Sequence, residues 1–232
     1  MLTVRKAEDR GHANHGWLNS YHSFSFANYY DPQHMGFRSL RVINEDMIAA
    51  GAGFPTHPHR DMEIITYVVS GAVAHKDSIG NTEKVGAGGI QRFSAGTGIT
   101  HSEFNPSRTE ALHLLQIWIL PEQQGITPSY EQKEFPADTK RGQWQPLANR
   151  DATEGAAKLH QDAAIYATIL EPGERLTYTL KDDRHAWVQI VDGTVTLNGT
   201  LLDKGDAAAI SQETELAFEA STDAEILLFD LA

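Results

Sequence analysis

The sequence predicts an all-β fold built from two tandem antiparallel barrels. Short runs of β-branched and aromatic residues alternate with Gly, Asn, Asp and Pro along the whole chain, a pattern typical of β-sandwiches and barrels. After Pro121, a polar stretch rich in proline and glycine divides these runs into two groups. We therefore predict an N-terminal domain over 1–125, a connector over 126–150 and a C-terminal domain over 151–232.

The two regions differ in charge and in histidine content. Residues 1–120 carry 10 basic and 11 acidic side chains, whereas residues 121–232 carry 9 and 20. Nine of the eleven histidines lie in the first region, and only His160 and His185 lie in the second. The first region therefore has the side chains to bind a metal, and the second mostly lacks them. Solubility explains the acidic charge of the second region.

Short apolar segments indicate the individual strands. In the N-terminal domain we predict strands near 38–44, 46–50, 62–69, 72–77, 83–86, 90–94, 98–104 and 111–119, with a tight hairpin at 78–81. In the C-terminal domain, 187–202 predicts a three-stranded meander with Asp192-Gly193 and Asn198-Gly199 as its turns. The best candidate for a short helix is 146–158.

A weak internal repeat relates the two halves. Residues 67–71 and 189–193 each end a strand in a glycine turn, and a second glycine turn follows at 85–88 and 202–206. This similarity supports two domains of one architecture.

Composition excludes several classes of function. A net charge of −12 argues against binding to nucleic acid or to anionic lipid. The chain has no cysteine, which excludes disulfides, thiolate metal sites and a cysteine nucleophile. Residues 1–10 do not resemble a secretory signal, and no apolar run reaches about 20 residues. We expect a cytoplasmic monomer.

Two motifs indicate a metal site. His57-Pro-His59 and His101-Ser-Glu103 each place two ligand side chains at positions i and i+2, which share one face of a strand about 6.7 Å apart. Two such strands side by side would hold one cation with three nitrogens and one oxygen. This ligand set suits iron(II) as well as manganese, nickel, copper, cobalt or zinc. Open coordination positions would remain for substrate or dioxygen.

The other histidines are interpreted as structural. His75 and His113 lie in predicted strands, where we expect hydrogen-bonded packing or surface positions. Four histidines of the N-terminal segment are expected to be exposed or to anchor loops: His12, His15, His22 and His34. The stretch 95–98 resembles a phosphate loop but leads into a strand and lacks the Lys-Ser/Thr ending, so we reject that interpretation.

These motifs resemble those of the cupin superfamily. The spacing from Gly51 through His57, His59 and Glu63 to Gly71 resembles the first cupin motif with one extra residue, and 98–105 resembles the second, with Gly96 where a proline is usual. Within the cupins, 57–60, 94–103 and the N-terminal stretches 11–17 and 23–31 resemble the pirin family, specifically its bacterial branch. The similarity spans the whole chain.

The resemblance implies a particular ligand set. Pirins have two cupin (double-stranded β-helix, jelly-roll) barrels, with an iron-type metal in the N-terminal barrel only. Its ligands correspond to His57, His59, His101 and Glu103. Glu63, which would bind the metal in the general cupin scheme, is then either a group behind the ligands or a surface residue.

The resemblance also implies a function. Bacterial pirins of this type resemble quercetin 2,3-dioxygenases, metal-dependent enzymes that cleave flavonols with dioxygen and release carbon monoxide. Glu103 is the carboxylate placed to take the proton of the 3-hydroxyl group. Four aromatic residues are candidates to line an apolar mouth: Phe24, Phe26, Phe54 and Phe93. The alternative is a non-enzymatic regulator whose metal controls binding to another protein.

Overall fold

The computed structural model describes residues 1–232, and strands dominate it. The strands of the first half are β1 (Leu2–Arg5), β2 (Gly11–Asn14), β3 (Leu18–His22), β4 (Leu40–Ile48), β5 (Gly53–His59), β6 (Glu63–Ser70), β7 (Ala72–Asp77), β8 (Thr82–Gly86), β9 (Ile90–Ser94), β10 (Ile99–Phe104) and β11 (Leu112–Ile119). Those of the second half are β12 (Ser129–Lys133), β13 (Gln145–Asn149), β14 (Ala157–Lys158), β15 (Ala163–Leu170), β16 (Arg175–Thr179), β17 (His185–Asp192), β18 (Thr194–Leu197), β19 (Thr200–Asp203), β20 (Ala207–Ser211), β21 (Glu215–Ala220) and β22 (Ala224–Leu231). Helical structure is limited to α1 (Ala137–Lys140) and to 3₁₀ turns at Ala7–Asp9 and Thr153–Gly155.

The chain forms two compact units. The N-terminal unit comprises 11–135 and 157–161, and the C-terminal unit comprises 1–10, 136–156 and 162–232. These units depart from the predicted boundaries, because the first ten residues lie in the C-terminal unit, where β1 pairs with β20. The predicted connector is also ordered, since β12 pairs with β9 and β13 pairs with β15. Pairing with a neighbouring strand gives the backbone N–H and C=O groups of these polar segments their hydrogen-bond partners.

The N-terminal unit consists of two antiparallel sheets. The larger has seven strands in the order β12-β9-β6-β11-β4-β3-β2, and the smaller has four in the order β5-β10-β7-β8. One buried apolar cluster includes Ile48, Val68 and Leu114, and another includes Ile64 and Phe93. The strands β5 and β10, which carry the predicted ligands, are neighbours in the smaller sheet, as the metal hypothesis requires.

The C-terminal unit repeats this topology. Its larger sheet has β1-β20-β17-β22-β15-β13 in order, and its smaller sheet has β16-β21-β18-β19. Each of these strands has a counterpart at the same place in the N-terminal unit, so the weak sequence repeat reflects two copies of one fold. In the strands that correspond to β5 and β10, apolar residues pair across the sheet: Leu176 with Phe218 and Tyr178 with Leu216. These four residues pack in or against the C-terminal core.

Several predicted elements need correction. The predicted strands at 38–44 and 46–50 are one strand, β4 (Leu40–Ile48), and several strands, β3 and β12 among them, were not predicted. The predicted meander is wrong at Gly193, because β17 and β18 lie in different sheets; Asn198-Gly199 does close a hairpin between β18 and β19. The four-residue connection at 78–81 joins the paired strands β7 and β8, as predicted.

The predicted helix over 146–158 is also wrong. Pro146 lies in β13, and Asn149 Oδ1 accepts hydrogen bonds from the backbone N–H groups of Asp151 and Thr153. Such local bonds from an asparagine side chain compete with helical hydrogen bonding. Ala152 adopts a left-handed conformation with φ of 52°, which ends any right-handed helix there. With α1 as its longest helix, the chain has no helical membrane span.

Candidate metal centre

Strands β5 and β10 bring three histidines together. His57 and His101 are direct Cα partners in this antiparallel pair, and His59 pairs with Ile99. Beyond His101 the register shifts, so that Glu103 faces Phe54 rather than Pro55. This bulge in β5 lets the backbone carbonyl of Pro55 lie 2.8 Å from His57 Nδ1. A bulge is a common means of redirecting a side chain beside a functional site.

The three imidazoles converge through their Nε2 atoms. His101 Nε2 lies 3.0 Å from His57 Nε2 and 3.1 Å from His59 Nε2. Two nitrogens bound at right angles around an ion with bonds of about 2.1 Å would be about 3 Å apart. The observed separations therefore fit ligation of a single ion.

We assign the tautomers of two of these imidazoles from their hydrogen-bond partners. His57 Nδ1–H donates to the carbonyl of Pro55, which leaves a lone pair on Nε2. His75 Nε2–H donates to Asp77 Oδ2 at 3.0 Å, and His75 Nδ1 then accepts from His101 Nδ1–H at 3.4 Å. The lone pair of His101 Nε2 therefore also points into the cluster. Facing lone pairs repel one another, and a bound cation relieves that repulsion.

Burial keeps the imidazoles of His59 and His101 neutral. Burial first, and the neighbouring His57 second, lower the pKa of His59 to about 4 and that of His101 to about 2. Burial also lowers the pKa of His75, against the opposing effect of Asp77. Neutral imidazoles are the form that binds metal ions.

Glu103 lies beside this cluster but is held by other side chains. Its carboxylate forms one close group with His75 and His101, whereas His57 and His59 form a second group with His101. Gln91 Nε2 and Thr66 Oγ1, the latter at 3.1 Å, donate to Oε1, and Gln116 Nε2 donates to Oε2 at 3.0 Å. Burial raises the pKa of Glu103 to about 7 in spite of these donors. Of the four predicted ligands, the structure thus gathers the histidines tightly and places Glu103 next to His101.

A row of polar side chains crosses the larger sheet at the level of Glu103. Strand register aligns His22, Asn44, Gln116, Thr66 and Gln91 on β3, β4, β11, β6 and β9. All five are buried, and on either side of the row lie apolar residues of the two core clusters. Buried polar groups cost free energy unless they are paired, so this row marks a site rather than a packing core.

A cavity of about 780 Å³ opens onto the cluster of three histidines. This volume lies within the usual range for small-molecule sites. His57, His59 and Glu103 line one side of it. Aromatic side chains form much of the remaining wall: Trp17, Phe26, Tyr29, Phe54 and Trp118. Among the predicted aromatic residues, Phe26 and Phe54 therefore face the cavity, whereas Phe24 and Phe93 are buried away from its lining.

The remaining predicted residues have mixed outcomes. His75 and His113 are buried and bound to Asp77 and Glu45 respectively, in line with the expected structural role. His12, His15 and His34 are at least partly exposed, but His22 is buried at 5% exposure and faces the cavity with His12 and His15.

Glu63 takes neither of the two positions expected for it. It is 1% exposed, lies outside both metal-type clusters, and Oε2 accepts from the backbone N–H of His160. Its carboxylate therefore anchors the 157–161 segment.

Sequence reasoning did not identify Ser20, Asn44, Asp46, Asp77 or Trp118. None of them belongs to a ligand-type spacing, and each reaches the site through pairing between distant strands. The only signal available was the alternation of polar residues on β3 and β4, where Ser20 and His22 face Asp46 and Asn44.

Comparison with known proteins assigns the family. A model for pirin matches residues 3–119, and one for a quercetinase C-terminal cupin domain matches 147–231. The chain is 54% identical over 231 residues to quercetin 2,3-dioxygenase of Escherichia coli K12, covering all of this chain and 99% of that protein. It is 43% identical over 233 residues to a pirin-like protein of Caulobacter vibrioides, covering both completely.

A solved structure agrees with this assignment. The bacterial pirin YhhW from Escherichia coli, in complex with nickel(II), matches with a TM-score of 0.95 at 54% identity, over 100% of this chain and 99% of that one. Together with the imidazole cluster, this supports a site for a divalent metal. The chain is an oxidoreductase with two cupin domains. It belongs to the pirin family.

Proposed function

We propose that the protein is a metal-dependent dioxygenase that cleaves flavonols such as quercetin with dioxygen and releases carbon monoxide. The observation that carries this proposal is the convergence of three imidazoles, with the lone pairs of His57 and His101 aimed at one point, on the wall of a cavity lined by aromatic residues. The relative named quercetin 2,3-dioxygenase supports the choice of substrate.

His57, His59, His101 and Glu103 are proposed to hold the ion. The imidazoles and a carboxylate suit iron(II), which we propose as the native metal; manganese, nickel, copper, cobalt and zinc fit the same donors. When bound, such an ion polarises a chelating oxygen pair and couples the bound flavonol to dioxygen. Elemental analysis of freshly purified protein tests the identity of the metal.

The chain's own residues then position the substrate and move its proton. The aromatic wall packs against a flat ring system, and Trp118 lies edge-on to His59 with ring centroids 5.0 Å apart. Glu103 is the carboxylate placed to accept the proton of the 3-hydroxyl group, with Thr66, Gln91 and Gln116 holding its orientation.

Oxygen uptake with quercetin tests this proposal. We expect the metal-loaded protein to consume dioxygen and release carbon monoxide, and His59→Ala to lower the rate by at least about 100-fold because one ligand is lost. His34→Ala, which removes a histidine bound to Asp31 outside the cavity, should leave the rate unchanged. Carbon monoxide release separates ring cleavage from simple oxidation of the flavonol.

An absence of turnover with iron, manganese, nickel, copper and cobalt alike would refute the proposal. A cytoplasmic location and a monomeric state are also proposed, to be tested by cell fractionation and by light scattering. The alternative of a regulatory protein with a protein partner stays a prediction.

A further inference from the structure

Across the cavity from the histidines, β3 and β4 carry a cluster of polar side chains that the proposed reaction does not use. Ser20, His22, Asn44 and Asp46 all line the cavity and are all buried. Ser20 pairs with Asp46 and His22 with Asn44 across the two strands. The cluster is therefore a small polar patch within a mostly aromatic wall.

Part of this patch is bound internally. Ser20 Oγ–H donates to Asp46 Oδ1, and His22 Nε2 lies 2.9 Å from Ser20 Oγ, where it donates to the hydroxyl oxygen. The serine proton thus points to the carboxylate and away from the histidine, so this set is not arranged as a nucleophilic triad. Asp46 Oδ2 is left to accept from another donor.

Two polar groups that line the cavity have no protein partner. Asn44 is 3% exposed, and its Oδ1 is buried without a hydrogen bond; the indole Nε1–H of Trp118 is likewise buried and unbonded. Leaving such a group unpaired costs about 1–3 kcal/mol, and native proteins rarely retain one without a reason. A bound ligand with hydroxyl groups would supply the missing partner.

The patch also lies close to Glu103, one of the residues that are proposed to hold the metal. Gln116 bonds Glu103, and Asn44 is the Cα partner of Gln116 on the next strand. One strand spacing, about 5 Å, therefore separates Asn44 from the glutamine that bonds Glu103. One flat molecule of two or three rings can reach both.

We propose that Asn44 and Asp46 form a second recognition subsite, which binds the hydroxyl groups of a polyhydroxylated aromatic ring while the chelating end of the same molecule faces the histidines. The ligand identity rests on the proposed flavonol activity. A phenol is both donor and acceptor, so it can donate to Asp46 Oδ2 or Asn44 Oδ1 and accept from the Asn44 amide. The subsite would make the protein select flavonols that carry further hydroxyl groups over flavonols that have only the 3-hydroxyl group.

Two probes isolate the subsite. Quercetin and 3-hydroxyflavone share the chelating 3-hydroxyl and 4-keto oxygens, but 3-hydroxyflavone has no other hydroxyl group. Their dissociation constants are measured without oxygen, so that no turnover occurs, on the protein as purified. We expect quercetin to bind about tenfold more tightly to the wild type. Asn44→Leu should remove most of this preference by weakening quercetin binding only.

Two further variants keep the test decisive. Asn44→Leu replaces an unpaired amide with an apolar group of similar size, which burial tolerates. Asp46→Asn alters the second contact with little change of shape and should also reduce the preference for quercetin. Asp192→Asn is the matched control, because Asp192 is exposed and is not among the residues that line the cavity; it should leave the ratio unchanged.

The outcomes distinguish this inference from the proposed function. An unchanged ratio in both Asn44→Leu and Asp46→Asn would overturn the subsite while leaving dioxygenase activity standing. Quercetin binding without turnover would refute the activity, and the ratio would still decide on the subsite. Failure of both probes to bind the wild type would overturn both proposals.

Discussion

At the scale of single residues, Asp77, His75 and His101 form a buried relay in which each side chain fixes the state of the next. Asp77 and His75 have no exposed side-chain surface, and His75 stacks on Tyr130 with ring centroids 4.5 Å apart. Asp77 is itself held by the backbone N–H groups of Ile79 and Asn81. The relay presents the Nε2 lone pair of His101 to the metal site, as carboxylates behind ligating histidines commonly do.

Asp77→Asn should weaken metal binding by about 10–100-fold. The amide can no longer act as an anionic acceptor for His75, so the tautomer of His101 is less firmly fixed. Competition with a chromophoric chelator measures the dissociation constant of the metal. Asn81→Ala removes a neighbouring donor to the same oxygen of Asp77 and leaves His75 in place. Equal weakening by both variants would show that loop anchoring, and not the relay, supports the metal.

At the scale of elements, the two units use the same glycine turn between their sheets. Gly71 follows β6 and Gly193 follows β17, with φ of 80° and 81°. A side chain at Gly71 would meet the backbone of Ala111 and Leu112, and one at Gly193 would meet that of Asp223 and Ala224. Leu112 begins β11, which pairs with β6, and Ala224 begins β22, which pairs with β17. The crossover between sheets therefore needs glycine for conformation and for space.

Gly193→Ala and Gly199→Ala separate these two requirements. Both glycines have φ of 81°, but a Cβ at Gly193 would lie 2.1 Å from the backbone oxygen of Asp223, whereas one at Gly199 meets nothing within 4 Å. We expect Gly199→Ala to lower the free energy of unfolding by about 1 kcal/mol, from backbone strain alone. Gly193→Ala should lower it by about 3 kcal/mol or more, because steric overlap adds to the strain. Urea unfolding measures both, and equal losses would contradict the steric argument.

At the scale of the whole chain, residues distant in sequence complete each unit. Lys6 Nζ and the backbone N–H of Ala7 donate to Asp206 at 2.7 and 2.8 Å, so the first strand is bound to a turn 200 residues away. Burial raises the pKa of Asp206, but the hydrogen bonds from Lys6 and from the backbone of Asp203 and Ala7 outweigh it, and the pKa lies below its usual value. Asp206 is therefore ionised in the folded protein at neutral pH.

This lowered pKa makes stability depend on pH. A group whose pKa is lower in the folded state stabilises the protein above its unfolded pKa of about 3.9, and that contribution is lost as the pH falls through the folded value. Asp206→Asn should therefore cost about 2 kcal/mol at pH 7 and progressively less below pH 4. Urea unfolding of both proteins across this range measures the difference. Asp192→Asn, at an exposed pair with Lys204, should change little; a constant loss in Asp206→Asn at all pH values would exclude an ionic contribution.

Local patterns in the sequence were sufficient for the fold class, for many of the strands and for the two candidate ligand motifs. Alternation along a strand has a period of two, so His57-Pro-His59 and His101-Ser-Glu103 each indicated a shared face before any pairing was known. The division into two similar halves was also visible in the glycine turns at Gly71 and Gly193.

Only the tertiary structure decided which strands meet, because pairing between distant strands depends on the whole set of neighbours. That pairing placed the first ten residues beside β20, Asp77 behind His101, and Asn44 in line with Gln116 and Glu103. It also pairs Leu176 with Phe218 and Tyr178 with Leu216 in the two strands that correspond to β5 and β10. The local sequence sets the spacing of the candidate ligands along each strand, whereas the cavity and its second polar wall arise from contacts among residues far apart in the chain.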